Sequence, residues 1–388
     1  MPTRGRRPRL LFLVTEDWYF WAHRLALARA ARDAGYEVVV ATRVGAFGER
    51  IRAEDFRLEP LSWVRGSRNP LRLLAETFAV MRLYRRLRPD LVHHVSLKPI
   101  LVGSIAALFR PGLARVNAVT GLGYVFTSRA RNARLLAAGL TGVLRLLLNR
   151  PASAVLVENS DDRQTVIRRF RVAEAAVVLT RGSGVDLGRF RPLPPPDNGA
   201  RPVVACAARM LWSKGIGDLV EASRILTDRG VPHRLLLAGR PDPENPESVS
   251  AAQLSQWARA DGIEWLGHVE DVAAVWAEAD IAVLASAREG LPLSLAEAAA
   301  CGRPLVATDV PGCRDIVQPG ENGLLVPPHD PPALADALER LLTDAPLRQG
   351  MGRRSLEAIH DGFSAQAVNA LTLNVYRDLL GGAGLDSA

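Results

Sequence analysis

SAREGLPLSLAEAAACGRPLVATDVPGC, residues 286–313, is the stretch on which the fold turns. The apolar run that leads into it, Ile281–Ser286, reads as a buried strand. It ends in the loop Glu289-Gly290-Leu291-Pro292, a helix follows to about Ala300, and Arg303–Asp309 reads as the next strand. Pro292 suits the first helical turn, where a missing N–H leaves nothing unsatisfied. Gly290 allows a ligand to approach the backbone closely. The free N–H groups and positive dipole end of the helix then favour an anion such as a diphosphate. Glu297, eight residues after Glu289, falls little more than one turn into the helix, so both carboxylates are able to face one pocket. A carboxylate is a good acceptor for the paired hydroxyls of a ribose. The plainer reading is a loop acid and a solvated helix acid.

Outward from this stretch the same rhythm continues. Short apolar runs at Leu10–Val14, Glu37–Thr42, Asp90–Val95, Arg115–Thr120, Ala154–Asn159 and Val177–Gly182 alternate with helical patterns such as Trp21–Ala34, Leu71–Leu87 and Arg131–Leu148. A second set follows at Pro202–Arg209, His233–Gly239, Ile263–Gly267, Ile281–Ser286, Arg303–Asp309 and Gly323–Val326. Strand and helix in strict alternation imply parallel sheets covered on both faces. The proline-rich stretch RFRPLPPPDNGARP, 189–202, divides the sets and reads as a stiff linker. The expectation is an α/β protein of two doubly wound domains facing a central cleft: 1–190, 191–365, and a terminal helix with tail over 366–388. Ligands in such sheets sit at the carboxyl ends of the strands.

At 388 residues the chain has room for two to three domains, and 48% hydrophobic with 23% charged residues excludes a disordered chain. Cys206, Cys301 and Cys313 lack metal-type spacing and are too few for a disulfide framework, which fits a reducing compartment. The basic N-terminus is followed by an apolar run too short for an export signal, so the reading is cytoplasmic. The chain lacks an uncharged apolar stretch long enough to span a bilayer. The nearest candidate, Leu135–Leu148, is broken by Arg145 and bracketed by Arg129, Arg131, Arg134 and Arg150. It reads either as a helix docking on an anionic membrane or as a buried helix.

Charge is divided unevenly. Residues 1–200 hold 33 basic and 16 acidic side chains, and the rest of the chain is net acidic. The first half is therefore suited to an anionic partner, whether membrane surface, phosphorylated acceptor or nucleic acid. The lack of a nucleic-acid motif or aromatic–basic alternation, together with the acidic second half, argues against nucleic acid. Lys98 and Lys214 are the two lysines among 49 basic residues. A compact ammonium makes a point contact to phosphate better than a planar guanidinium does.

Glu289 and Glu297 resemble the glutamate, seven residues, glutamate motif of family 4 glycosyltransferases, and EGLPLSLAEAAACGRPLVATDVPGCRDIV is similar to that family almost throughout. ACAARMLWSKGIGDLVEA at 205–222, the Gly-His-Val turn at 267–269 and ENGLLVPPHDPPALADAL at 321–338 extend the resemblance. In the first half DWYFWAHRLALARAARDAGYEVVVAT, VHHVSLKP and VNAVTGLGYVF look like the subgroup that builds bacterial surface polysaccharides and lipid-linked glycans. The resemblance implies the GT-B fold, with acceptor bound by the first domain, nucleotide sugar by the second, and a final helix crossing back. It implies retention of anomeric configuration by front-face substitution, with no metal and no cofactor. The nearest approach to an Asp-x-Asp motif is Asp242-Pro-Glu244, in a proline-rich loop that reads as structural. Arg209 and Lys214 match the pair that neutralises the donor diphosphate. They are read as converging on one loop, Arg209 at the end of a strand and Lys214 before Gly215 and Gly217. With Glu289 they form the expected catalytic set. Glu297 would hold the ribose, the loop Gly290-Leu291-Pro292 the donor sugar, and His268 would flank the base or simply cap its turn.

The acceptor side follows the family less closely. Thr120, followed by Gly121, stands where many members carry a histidine, so that histidine's role does not transfer. Asp17 and Tyr19, with His23 and Arg24, form either an acceptor sugar site or ordinary helix packing. Lys98 is expected to bind an acceptor pyrophosphate, and His93 to pack or bond locally. The reading is a transferase moving a hexose or N-acetylhexosamine, from UDP on subgroup resemblance, to a polyprenyl-diphosphate-linked glycan at the inner face of the cytoplasmic membrane. The alternatives are a soluble or glycolipid acceptor, or a noncatalytic partner in a glycan assembly complex.

Overall fold

The computed structural model describes residues 6–66, 69–122, 131–359 and 362–381, with the backbone alone of 131–136. The expectations for Arg129, for the side chains of Arg131 and Arg134, for the second half of the VNAVTGLGYVF stretch and for the tail beyond 381 lie outside the described residues.

Two compact units make up the chain: Met1–Ser183 with Ala365–Ala388, and Gly184–Ser364. In the first, β1 (Arg9–Glu16), β2 (Glu37–Arg43), β3 (Arg57–Pro60), β4 (Leu91–Val95), β5 (Ala114–Val119), β6 (Ser153–Val157) and β7 (Val177–Leu179) form a parallel sheet in the order β3-β2-β1-β4-β5-β6-β7. Val38 to Ala41, Val92 and Val116 are buried because helices cover both faces, which is why these strands read as unbroken apolar runs. The second unit repeats the plan with β8 (Val203–Ala207), β9 (Arg234–Ala238), β10 (Ile263–Gly267), β11 (Ile281–Leu284), β12 (Leu305–Thr308) and β13 (Gly323–Val326), in the order β10-β9-β8-β11-β12-β13.

Several expectations are corrected. β3 carries no sequence signal because its pattern Arg-Leu-Glu-Pro is that of an edge strand, half in water and ended by a proline that has no N–H to pair. β7 stops at Leu179, before Arg181 turns into the left-handed region at φ 51°. The proline-rich stretch 189–202 is part of the second unit rather than a linker. Phe190 is buried in that unit's core, and the Arg303 guanidinium donates to the Pro194 carbonyl at 3.0 Å. Pro292 sits one position before the helix Leu293–Ala300, as its N-cap with extended backbone, not in the first turn.

The helix Ala365–Leu379 packs on the first unit, where Tyr376 is fully buried and its hydroxyl lies 2.5 Å from His93 Nδ1. Among the described residues no helix is long and apolar enough to cross a membrane. In the helix Arg131–Leu148, Leu144, Leu147 and Leu148 are buried while Val143 and Leu146 are exposed, so it is neither wholly buried nor wholly free.

Candidate functional site

Each sheet has one place where consecutive strands part to opposite sides, leaving a crevice at their carboxyl ends that suits a ligand. In the second unit that place is between β8 and β11. The segment after β8 carries Arg209 and Lys214, and the segment after β11 carries Glu289. Gly215, at φ 68°, starts the helix Ile216–Asp228 so close to β11 that a Cβ there would stand 2.0 Å from the Ala285 carbonyl oxygen. The Ala287 N–H donates to the Ser213 carbonyl at 2.9 Å, tying the two loops together. Gly312, at φ 80°, is pressed against the Gly290 carbonyl, where a Cβ would lie 2.1 Å away. Only glycine fits either position.

Across this crevice Lys214 Nζ donates to Glu289 Oε1 at 2.6 Å, with the carboxylate nearly buried and the ammonium partly open to solvent. Arg209 is not at the end of β8 but two residues beyond it, and its Nη1 donates to Asp242 Oδ2 at 2.9 Å. The two cations therefore face separate carboxylates instead of converging alone. Glu297 lies in the second turn of its helix. Burial pushes its carboxyl up to about 7, against the opposing pull of the Arg189 guanidinium. A carboxyl poised there gains from hydroxyl donors that stabilise its charged form. His268 is exposed after β10, an edge strand separated from β8 by β9, so it stands about 10 Å to the side.

The matching place in the first unit is between β1 and β4. Asp17 and Tyr19 follow β1, Lys98 follows β4, and Thr120 and Gly121 follow β5, so one sheet edge gathers them. Their side chains differ in use. Asp17 is buried and its Oδ2 accepts from the N–H groups of Gly45 and Phe47 at 2.6 and 2.9 Å. Arg24 Nη2 pairs with Glu158 at 3.0 Å, both buried. Lys98 Nζ donates to Glu76 at 2.8 Å and to the Val64 carbonyl at 2.9 Å, over the Trp63 ring. His93 is buried against Phe12 and Tyr376, and burial holds it well below the usual imidazole range. Tyr19 and His23 are half-buried with ring centroids 4.4 Å apart. Ser96, between His93 and Lys98, has φ 74° and ψ 168°, backbone that glycine alone adopts without strain.

Three features escaped the sequence reading. Asp242 belongs to a loop whose prolines suggest structure only. Arg189 lies over a hundred residues from the Glu297 it faces. A groove of about 780 Å³ in the first unit, lined by Trp63, Arg72, Arg82 and Arg86, depends on how the helix Pro70–Leu87 meets the segment after β3. Arg72 and Arg82 make no ion pair among the described residues, and the buried Trp63 Nε1 has no hydrogen-bond partner. A helix with regularly spaced arginines was the available signal.

Two parallel sheets of seven and six strands, both covered by helices, are the architecture of a GT-B glycosyltransferase. Family models agree: "Glycosyl transferases group 1" matches residues 201–344 and "Glycosyl transferase 4-like" matches 9–159. The chain belongs to the family 4 glycosyltransferases. It is 24% identical over 360 residues to the N,N'-diacetylbacillosaminyl-diphospho-undecaprenol alpha-1,3-N-acetylgalactosaminyltransferase of Campylobacter jejuni, covering 90% of this chain and 93% of that one. It is 32% identical to the alpha-D-kanosaminyltransferase of Streptomyces kanamyceticus over 46% of each chain. Among solved structures it superimposes on sucrose-phosphate synthase of Thermosynechococcus elongatus, TM-score 0.80 at 21% identity, covering 97% of this chain and all of that one. It also matches Anabaena HepE in complex with UDP, TM-score 0.76 at 19% identity, over 95% of this chain and all of that one.

Proposed function

We propose that this glycosyltransferase moves a hexose or N-acetylhexosamine from a UDP-sugar to a polyprenyl-diphosphate-linked glycan, with retention and without a metal, at the inner face of the cytoplasmic membrane. The observation that carries the donor half is the Lys214–Glu289 pair lying across the switch point beside Arg209. Two cations at the end of a sheet stabilise a departing diphosphate by fixed charge, the task a metal performs elsewhere. In a front-face substitution the bond from the anomeric carbon to the β-phosphate oxygen breaks. The acceptor hydroxyl forms its bond on the same face, and its proton passes to the departing phosphate. Glu297 takes the ribose hydroxyls. Glu289, already held by Lys214, and the Gly290-Leu291 backbone orient the sugar.

The acceptor half is supported by the first half's excess of basic residues and by the Arg72, Arg82 and Arg86 groove, which suit an anionic diphosphate. The long match to a transferase named for a diphospho-undecaprenol acceptor points the same way. Leu71, Leu74 and Phe78, exposed on the helix Pro70–Leu87, and Val143 and Leu146 on Arg131–Leu148 give this unit apolar side chains for a lipid surface. Calorimetric titration with UDP, GDP and ADP in magnesium-free buffer containing EDTA tests the donor half. Selective UDP binding is the expected result, and preference for another nucleotide or a strict magnesium requirement overturns it.

A further inference from the structure

The loop Gly239–Val249, sequence GRPDPENPESV, is fastened along the segment that carries the two donor-site cations. Met210 donates its N–H to the Arg240 carbonyl at 3.1 Å, Trp212 to Glu247 at 2.8 Å, and Val249 back to Met210 at 2.9 Å. Leu211 and Ser248 pair as an antiparallel bridge. The loop is itself internally braced. The Asp242 N–H donates to Ser248 Oγ at 2.9 Å, the Asn245 N–H to the Asp242 carbonyl at 2.8 Å, and the Glu247 N–H to Asn245 Oδ1 at 3.0 Å. This bracing sets the Asp242 carboxylate at one place, 2.9 Å from Arg209 Nη1, with the carboxylate the more buried of the two. On its other side the loop reaches the segment after β11, where Glu247 lies 3.6 Å from the Arg288 guanidinium.

Arginine loses much rotamer freedom when it is fixed on a ligand, and a half-exposed Arg209 would otherwise sweep a wide volume. A nitrogen engaged by a braced carboxylate restricts that sweep and fixes the plane of the fork, the geometry on which pairing with phosphate oxygens depends. We infer that Asp242 is the positioning residue of the donor site, holding the Arg209 guanidinium in the orientation in which it meets the donor diphosphate. This rests on the donor-site reading above and adds to it a residue outside the glutamate motif.

A double-mutant cycle on UDP binding, read by calorimetry, tests the inference. Asp242→Ala is expected to weaken UDP about tenfold while leaving uridine affinity unchanged, because only the phosphates meet Arg209. Asp242→Asn, which keeps the shape and one accepting oxygen, is expected to lose less and serves if the alanine variant does not fold. In an Arg209→Ala background either substitution is expected to add nothing. The same loss in that background would make Asp242 a loop brace with no link to the guanidinium and would overturn the inference, as would tighter UDP binding by Asp242→Ala. Unaltered UDP affinity in Arg209→Ala alone would instead remove Arg209 from the diphosphate site, so failure of the donor-site reading is told apart from failure of this one.

Discussion

At the switch point of the second sheet the charged side chains remain partly in water, Arg209 at 40% and Lys214 at 22% exposure; at the first sheet Lys98 keeps 20%, but Asp17 and Arg24 have turned inward, both at 5% or less. Both edges are built by the same plan of parallel strands and short loops. What differs is where the partners come from. The second sheet pairs its cations with carboxylates on neighbouring loops, so a diphosphate can replace or share them. The first sheet commits Asp17 to backbone N–H groups and Arg24 to the buried Glu158, which a ligand cannot displace without local unfolding. Residue type at a strand end therefore marks a candidate, and the exposure of the pair it joins is what separates Arg209 from Arg24.

The sharpest test of this contrast is to remove one lysine from each sheet. Lys214→Ala is expected to lower transfer at least a hundredfold and to weaken UDP more than uridine, with a stability cost of about 2 kcal/mol because the nearly buried Glu289 carboxylate loses its ammonium. Lys98→Met likewise leaves the buried Glu76 carboxylate without its ammonium and is expected to cost about 2 kcal/mol of stability in denaturant unfolding. UDP affinity should stay unaltered. If Lys98→Met also loses acceptor affinity, the first sheet uses its lysine as the second does, and the contrast breaks.

A smaller effect is expected from Tyr376→Phe, which leaves His93 Nδ1 buried without its partner. The cost should be about 1.5 kcal/mol, again with UDP binding intact. Glu297→Gln sharpens the other side of the comparison through pH. In the proposed donor site the ionised carboxylate is the form that accepts ribose hydroxyls, so UDP affinity in the unaltered protein should rise as pH passes through about 7 and level off above. The glutamine variant should bind a fewfold more weakly at high pH and show no such rise. The linked stability runs the opposite way. A carboxyl whose folded value is raised binds more protons folded than unfolded, so its contribution falls as pH climbs from the ordinary carboxylate range through about 7. Flat melting curves across that window in the unaltered protein would argue that Glu297 is not buried as described.

Much of the fold was legible because a parallel strand buried on both faces must be written in apolar residues, as in Glu37-Val-Val-Val-Ala-Thr. β3 was illegible for the complementary reason, since an edge strand is free to be Arg-Leu-Glu-Pro. The turn and helix from Glu289 to Glu297 could be read because their parts are contiguous in sequence. The pairing of Asp242 with Arg209 could not, since it spans 33 residues and no local pattern encodes it. Rarity singled out Lys98 as a residue retained for some purpose without saying which. The ammonium over Trp63 and against Glu76 answers a burial problem in the first unit.

The helix Ala365–Leu379, closed onto His93 through Tyr376, makes the first unit discontinuous in the chain. A ribosome working at roughly 5–20 residues per second finishes β7 some 10–40 s before it delivers Tyr376. During that interval the second unit, being continuous from Gly184 to Ser364, has all its strands and can fold first. The nascent first sheet meanwhile waits with the apolar pocket around Tyr36 and His93 uncovered, which is when a chaperone would find it.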